Sequence, residues 1–261
     1  MLFSDRPRTH YNNAPVHEVI CQLRFPTILS INNTEPADFQ EAIRDEFPRY
    51  SRRQDAIPPK AVKMPDGKVQ LQQQPPVTNY TFLSADGKWK INLTRDFIAL
   101  STLSYTDWED FARHLDKPLA SFIQIYKPAY FERVGLRYIN FISRGDLGLP
   151  TTPFRELIEG CWLGPMAEED VQETGCGRCS IDVEMAIRGG CRAKIHAGPG
   201  KVQRSGKMDP EVKFIFDQDL FMPGQVPVNL SAGALQTLHA QAWSIFRGAI
   251  TEKLHDALEP R

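Results

Sequence analysis

No stretch of the sequence approaches the roughly 20 apolar residues that a membrane span requires, and residues 1–13 carry Asp5, Arg6, Arg8 and His10 in place of an apolar leader core. Net charge is lacking as well. Thirty-one Lys and Arg against 32 Asp and Glu leave a formal charge of −1, so nothing draws the whole molecule to nucleic acid or an anionic membrane. Cysteine is scarce and odd in number, five in 261 residues, which argues against a disulfide framework and for a reducing cytoplasm. Catalytic signatures are missing: G-x-S-x-G, H-E-x-x-H and the calcium-loop pattern do not occur. Gly206–Lys207 lacks the flanking residues of a phosphate loop, since Lys201 and Met208 stand where Gly and Ser or Thr are needed. No cofactor and no resident metal is expected.

What is present is an ordinary globular composition, 41% hydrophobic and 24% charged, at a length that buries a core without staples. His17, Val19, Cys21, Leu23 and Phe25 alternate with Glu18, Ile20, Gln22 and Arg24, the period of a strand over 16–25. Thr34 is read as the cap of a helix whose apolar face is Phe39, Ile43 and Phe47, ended by Pro48; the charged segment 50–63, with Pro58 and Pro59, reads as a loop. Val69 and Leu71 start a group of strands. Tyr80, Phe82 and Ser84 match Trp89, Ile91 and Leu93, and a turn at Arg95–Asp96 sets Ile98 opposite Leu93 and Leu100 opposite Ile91. Thr106 and Glu109 have the spacing of a capping box for a helix with the stripe Trp108, Phe111, Leu115, Leu119, Phe122 and Tyr126; Pro118 is expected to kink or split it.

The order then recurs. A strand is predicted over 131–143, a short helix from Thr152–Pro153 through Ile158, and a loop over 164–177. Strands follow at 180–187, 191–197 and 212–216, and then a long helix capped by Ser231, with Leu235, Leu238, Ala242, Ile245, Ala249 and Leu254 inward. Strands grouped between helices give an α+β protein. Residues 1–129 and 130–261 read as two tandem strand–helix–antiparallel strands–helix halves of one compact unit. The arrangement resembles a TBP-like or helix-grip architecture, a curved sheet with helices on one side, a likeness of topology that carries no function.

Cys176, Cys179, Cys191 and His196 have the text of a Cys₃His zinc site. Strand periodicity opposes it. Ile181, Val183, Met185 and Ile187 share a face with Cys191, Ala193, Ile195 and Ala197 only across the loop Arg188-Gly189-Gly190. That register separates Cys179 from Cys191 by about eight residues of strand, on the order of 26 Å. It also pairs Glu184 with Lys194 and Asp182 with His196. Cys176-x-x-Cys179 runs into a strand instead of a helix N-terminus, so it lacks the setting of a redox dithiol.

The remaining candidates are polar clusters. Asp217 and Asp219 lie two apart on one strand face, read as a solvated strand end. His17, His239 and His255 are scattered, and each reads as a packing residue. From Arg188 to Lys207 the chain carries Arg188, Arg192, Lys194, His196, Lys201, Arg204 and Lys207 with no acidic residue, a strip that Arg133 and Arg137 extend if their strand lies alongside. Three functions follow from these features: a non-enzymatic binding or regulatory protein that holds a macromolecular partner, expected to be a protein; a nucleic-acid-binding saddle using the basic strip; and a small-ligand binder or enzyme with a pocket between the sheet and the C-terminal helix.

Val16-His-Glu-Val19 with Leu23-Arg-Phe25, Tyr105-x-x-Trp108, Val134-Gly-Leu-Arg-Tyr-Ile-Asn140, Leu238-His239 and Ile250-Thr251 occur in this order. Together they resemble a sporadically distributed family of uncharacterised bacterial proteins of similar length, the block from Val134 to Asn140 being the most specific. The resemblance implies no catalytic residue, and the patchy distribution implies a mobile-element or defence context.

Overall fold

The computed structural model describes residues 2–64, 67–204 and 206–261, without the side chain of Arg204. One antiparallel sheet of nine strands organises the chain. Its centre is the pair β1 (Val16–Arg24) and β8 (Phe131–Ile142), with Val19 opposite Tyr138, Cys21 opposite Leu136 and Leu23 opposite Val134. Outward from β1 run β7 (Phe97–Thr102), β6 (Trp89–Leu93), β5 (Val77–Leu83) and the edge strand β2 (Arg49–Asp55). Outward from β8 run β11 (Lys207–Val226), β10 (Arg192–Arg204) and the edge strand β9 (Ile181–Ala186). A separate ribbon pairs β3 (Lys60–Lys63) with β4 (Val69–Gln72).

Period-2 patterning fixes which face is buried. Val19, Cys21 and Leu23 line up with Leu100, Ile91 and Phe82 on one side and with Leu136, Leu220 and Ala193 on the other, all buried. The helices pack on this face. Phe39 of α2 (Ala37–Ile43), which follows the single turn α1 (Ser30–Asn33), meets Phe82 edge-on. Phe111 and Phe122 of α3 (Trp108–Tyr126) lie against Trp89 and Phe25. Phe246 of α4 (Ser231–Ala249) lies against Phe216, and Leu254 of α5 (Glu252–Ala257) is fully buried. No helix among the described residues is long and apolar enough to cross a membrane.

The two predicted hairpin registers are present. Ile91 faces Leu100 and Leu93 faces Ile98. Met185 faces Ala193, Val183 faces Ile195 and Ile181 faces Ala197, with Gly189 and Gly190 at φ of 72° and 73° in the loop between them. Positive φ is what a three-residue loop of this kind asks of its glycines.

Several expectations are corrected. Segment 50–63 is β2 and β3 instead of a loop; β2 is an edge strand, exposed almost throughout, so no apolar alternation marks it and its charges protect the edge. The strand expected at 191–197 runs on to Arg204, and the one expected at 212–216 extends from Lys207 to Val226. Gly198-Pro199-Gly200 lies just past the expected end of the first of these strands. Beyond Ala197 strand β9 has ended, leaving β10 paired with β11 alone, the edge setting in which a strand tolerates proline. Asp217 and Asp219 therefore sit in mid-strand.

Asp107, one residue after Thr106, caps α3 by accepting from the Asp110 N–H at 2.7 Å, and Pro118 lies inside one unsplit helix. Pro36 replaces Thr34 at the start of α2, which ends at Ile43, before Pro48. The expected helix after Pro153 is one 3₁₀ turn, Phe154–Glu156, and two more such turns lie in the predicted loop at Gly164–Ala167 and Glu173–Gly175. Ser231 is the first residue of α4, with no side-chain cap, and Leu254 belongs to α5, which Thr251 caps. A bulge between Val16 and Glu18 turns His17 to the exposed side, stacked on Phe141.

Candidate functional site

The alternation that builds the core also carries polar residues into it at one place. Val134 and Leu136 are the inward residues of β8, and the next two inward positions are Tyr138 and Asn140. On β11 the inward row reads Phe214, Phe216, Gln218, Leu220, and Gln218 stands directly opposite Tyr138. On α4 the buried face contains His239 between Leu238 and Ala242. All four polar side chains are buried, Gln218 and Asn140 to 2% exposure.

They form the floor of a cleft of about 100 Å³ between the sheet, α4 and the N-terminal segment. Val16, Tyr11, Tyr105, Trp243 and Phe246 make most of its walls, and Arg8 stands among them with its guanidinium 3.4 Å from the Glu109 carboxylate. The N-terminal segment is fastened across this side of the molecule. Ser4 N–H donates to the Ser244 carbonyl, the Trp243 indole to the Arg6 carbonyl, and Asn13 N–H to the Leu258 carbonyl.

One hydrogen bond ties the sheet to α4 across the floor. The Tyr138 hydroxyl lies 2.7 Å from His239 Nδ1, and the Tyr105 ring meets the Tyr138 ring edge-on at 5.7 Å. Trp108 stacks flat on the His239 ring, centroids 4.6 Å apart. Burial, reinforced by the Arg8 charge, pushes the His239 pKa down to about 3, so the imidazole is neutral. Burial holds Tyr105 up at about 12 and Tyr138 well above the ordinary phenol range. Two buried acceptor or donor atoms of cleft-lining side chains have no partner among the described residues: Gln218 Oε1 and His239 Nε2. An unpaired buried polar atom costs about 1–3 kcal/mol.

The basic strip looks different when folded. Arg133 and Arg137 stand on β8, which β11 separates from β10, on the face opposite the helices, and acidic partners share that face. Arg133 bonds Asp219 at 2.5 Å and covers the Phe221 ring, and Arg137 bonds Asp217 at 2.7 Å. Arg192 and Lys194 both reach Glu184, at 2.9 and 3.5 Å, and His196 reaches Asp182 at 2.8 Å. Arg188 approaches Asp5 at 3.8 Å. Lys201 and Lys207 make no ion pair among the described residues, and the Arg204 side chain lies outside them. The acids that neutralise the strip come from the neighbouring strands, Asp182 and Glu184 of β9 as the hairpin register predicts, and Asp217 and Asp219 of β11 against the β8 arginines. If this pairing suppresses nucleic-acid binding, the double variant Asp217→Asn, Asp219→Asn should gain salt-dependent affinity for DNA or RNA over wild type in a filter-binding assay. Equal, salt-insensitive binding by both proteins would remove the basis for that expectation.

The five cysteines are free. The backbone carbonyl of Cys179 packs close to Gly198, at the far end of the β9–β10 ladder from Cys191. Among the described residues no three His, Cys, Asp or Glu side chains are grouped to hold a metal ion.

Sequence reasoning passed over the cleft residues by reading His239 as packing and Trp108 and Tyr138 as elements of the fold. The available signal was polarity in inward registers: Tyr138 and Asn140 on β8, Gln218 on β11, His239 on α4. Tyr105, Trp108, Tyr138, Asn140 and His239 meet at this cleft or directly beneath it. No protein-family model matches the chain, and no curated protein matches it.

Proposed function

We propose that the protein is a non-enzymatic binding protein that takes a small, largely apolar molecule into the cleft between the sheet, α4 and the N-terminal segment. The observation that carries this is the pair of unpartnered polar atoms, Gln218 Oε1 and His239 Nε2, on side chains that line an otherwise mostly apolar cleft. Their desolvation is uncompensated until something bonds them.

Recognition fits the floor better than acid–base catalysis. A general base works best with a pKa near the operating pH; a histidine near 3, flanked by Tyr105 raised to about 12 and Tyr138 raised by its burial, is poised for neither role. The tandem, helix-grip-like reading agrees with this. In that reading β1 and β8 are equivalent first strands, α3 and α4 equivalent closing helices, and the second half keeps its pocket between sheet and long helix.

Ala242, buried on α4, lines the cleft. One-ring apolar fragments are expected to bind the wild-type protein in ligand-observed NMR and to lose about ten-fold or more in affinity in Ala242→Phe, a loss of about 1.4 kcal/mol. Undiminished binding in a folded Ala242→Phe protein would place the fragments elsewhere and end this reading.

A further inference from the structure

Resting on that reading, we propose that the molecule bound in the cleft is uncharged and presents an amide-like edge, an N–H beside a C=O, to Gln218. The carboxamide of Gln218 carries an acceptor and a donor side by side in one plane. Its Oε1 is buried without a partner, directly across the ladder from Tyr138. A lactam-type ring answers both groups at once, N–H to Oε1 and C=O to Nε2, while its flat body lies against Val16, Tyr105 and Phe246.

His239 strengthens the choice of a ligand with both a donor and an acceptor. If the Tyr138 hydroxyl donates to Nδ1, the ring hydrogen is on Nε2, which then donates. If Nδ1–H donates to Tyr138, Nε2 accepts. Either arrangement leaves Nε2 unsatisfied; with the ligand N–H committed to Gln218 Oε1, the same ligand fits the first, in which Nε2–H donates to the second lone pair of the ligand carbonyl.

An anionic head group finds no free cation on the floor, and Asp107, a carboxylate of the lining, already accepts from the Asp110 N–H of the helix it caps. His239 is neutral there and the two tyrosines keep their protons. Arg8, the cation of the lining, is already beside Glu109. An ion moved onto this floor would lose its hydration without compensation.

The test is a titration of the intact protein with 2-pyridone, N-methyl-2-pyridone and benzoate, followed through the indole resonance of Trp243, a wall residue. The expected result is binding of 2-pyridone about ten-fold tighter than of the N-methyl compound, the value of one hydrogen bond to a buried group. That preference should vanish in Gln218→Leu, or in Gln218→Met if the leucine variant does not fold. Equal affinity for both pyridones, with binding lost in Ala242→Phe, overturns the amide-edge inference while the cleft remains a binding site. Benzoate binding tighter than 2-pyridone also overturns it, in favour of an anion held by Arg8. Failure of all three probes to bind removes the cleft reading and this inference together.

Discussion

Acidification from pH 6.5 to pH 4 is expected to cost the folded protein about 3 kcal/mol through one side chain, His239. The folded-state pKa lies near 3 because the ring is buried, with Arg8 adding to the depression, Glu109 opposing it and His10 adding slightly. In the unfolded chain the same ring titrates near the ordinary histidine value of about 6.5. Between these values the unfolded state binds a proton that the folded state refuses, so stability falls as pH falls, by about 1.4 kcal/mol per unit. The contribution is whole above pH 6.5 and is gone below about 3. Carboxylates held low by their partners, such as Glu252 beside Arg247, act in the same direction, but only near and below their own ordinary range. The upper part of the window therefore belongs mainly to histidine. His255 also has a lowered pKa, from burial first and Arg247 second, but it is far less enclosed and bonded to Tyr11. Urea unfolding at pH 7, 6, 5 and 4.5 measures the slope. His239→Gln, which keeps a hydrogen-bonding group near Tyr138 without titrating, should flatten most of it. An unchanged slope in that variant would show that His239 is not held neutral by its surroundings. The tyrosines set the opposite limit: Tyr105, with its pKa raised to about 12 by burial, gives stability present below pH 10 and lost as pH climbs through 12.

How much of this was readable in the chain depends on which force places each residue. Apolar alternation placed β1, β5 to β9 and the two hairpin registers, because shifting any of them by one residue exposes a whole row of side chains. Edge strand β2, Arg-Tyr-Ser-Arg-Arg-Gln-Asp, buries almost nothing, so no periodicity advertises it and only the pairing with β5 forms it. The distal β10–β11 arm escaped for a related reason. Gly198 sits there because a Cβ would fall 2.6 Å from the Cys179 carbonyl, a packing demand that looks like a turn when read as text. On the basic strip the hairpin register already placed Glu184 and Asp182 against Lys194 and His196, whereas the pairs of Arg133 with Asp219 and Arg137 with Asp217 needed the β8–β11 register, which the sequence does not mark. For the cleft, each polar residue in an inward register was individually ordinary. Only the pairing of β8 with β11, and the seating of α4 over both, puts Tyr138, Gln218 and His239 together.

Trp108→Ala should be among the most damaging single substitutions, and its effect should reach beyond stability. The indole is buried to 4% exposure, stacks on His239 at 4.6 Å and on Phe111 at 6.0 Å, and so forms the layer between α3 and the cleft floor. Removing a buried tryptophan costs about 3–5 kcal/mol through lost contacts and the cavity left behind. Its Nε1, buried without a partner, offsets part of that, which favours the lower end of the range. The space vacated adjoins His239 Nε2, a polar atom able to hold water. Water there would lessen the desolvation that depresses the histidine, so its folded-state pKa should rise toward 6.5 and the acid sensitivity should shrink. The two effects are separable in one experiment: unfolding free energy at pH 7 reports the packing loss, and the difference between pH 7 and pH 4.5 reports the histidine. A conservative Trp108→Phe should retain most of the stacking and most of the pH dependence. If Trp108→Ala lowers stability at pH 7 by less than about 1 kcal/mol, the indole is not the seal beneath the cleft. If it lowers stability as expected but leaves the acid slope intact, the imidazole is kept dry by the sheet and α4 alone.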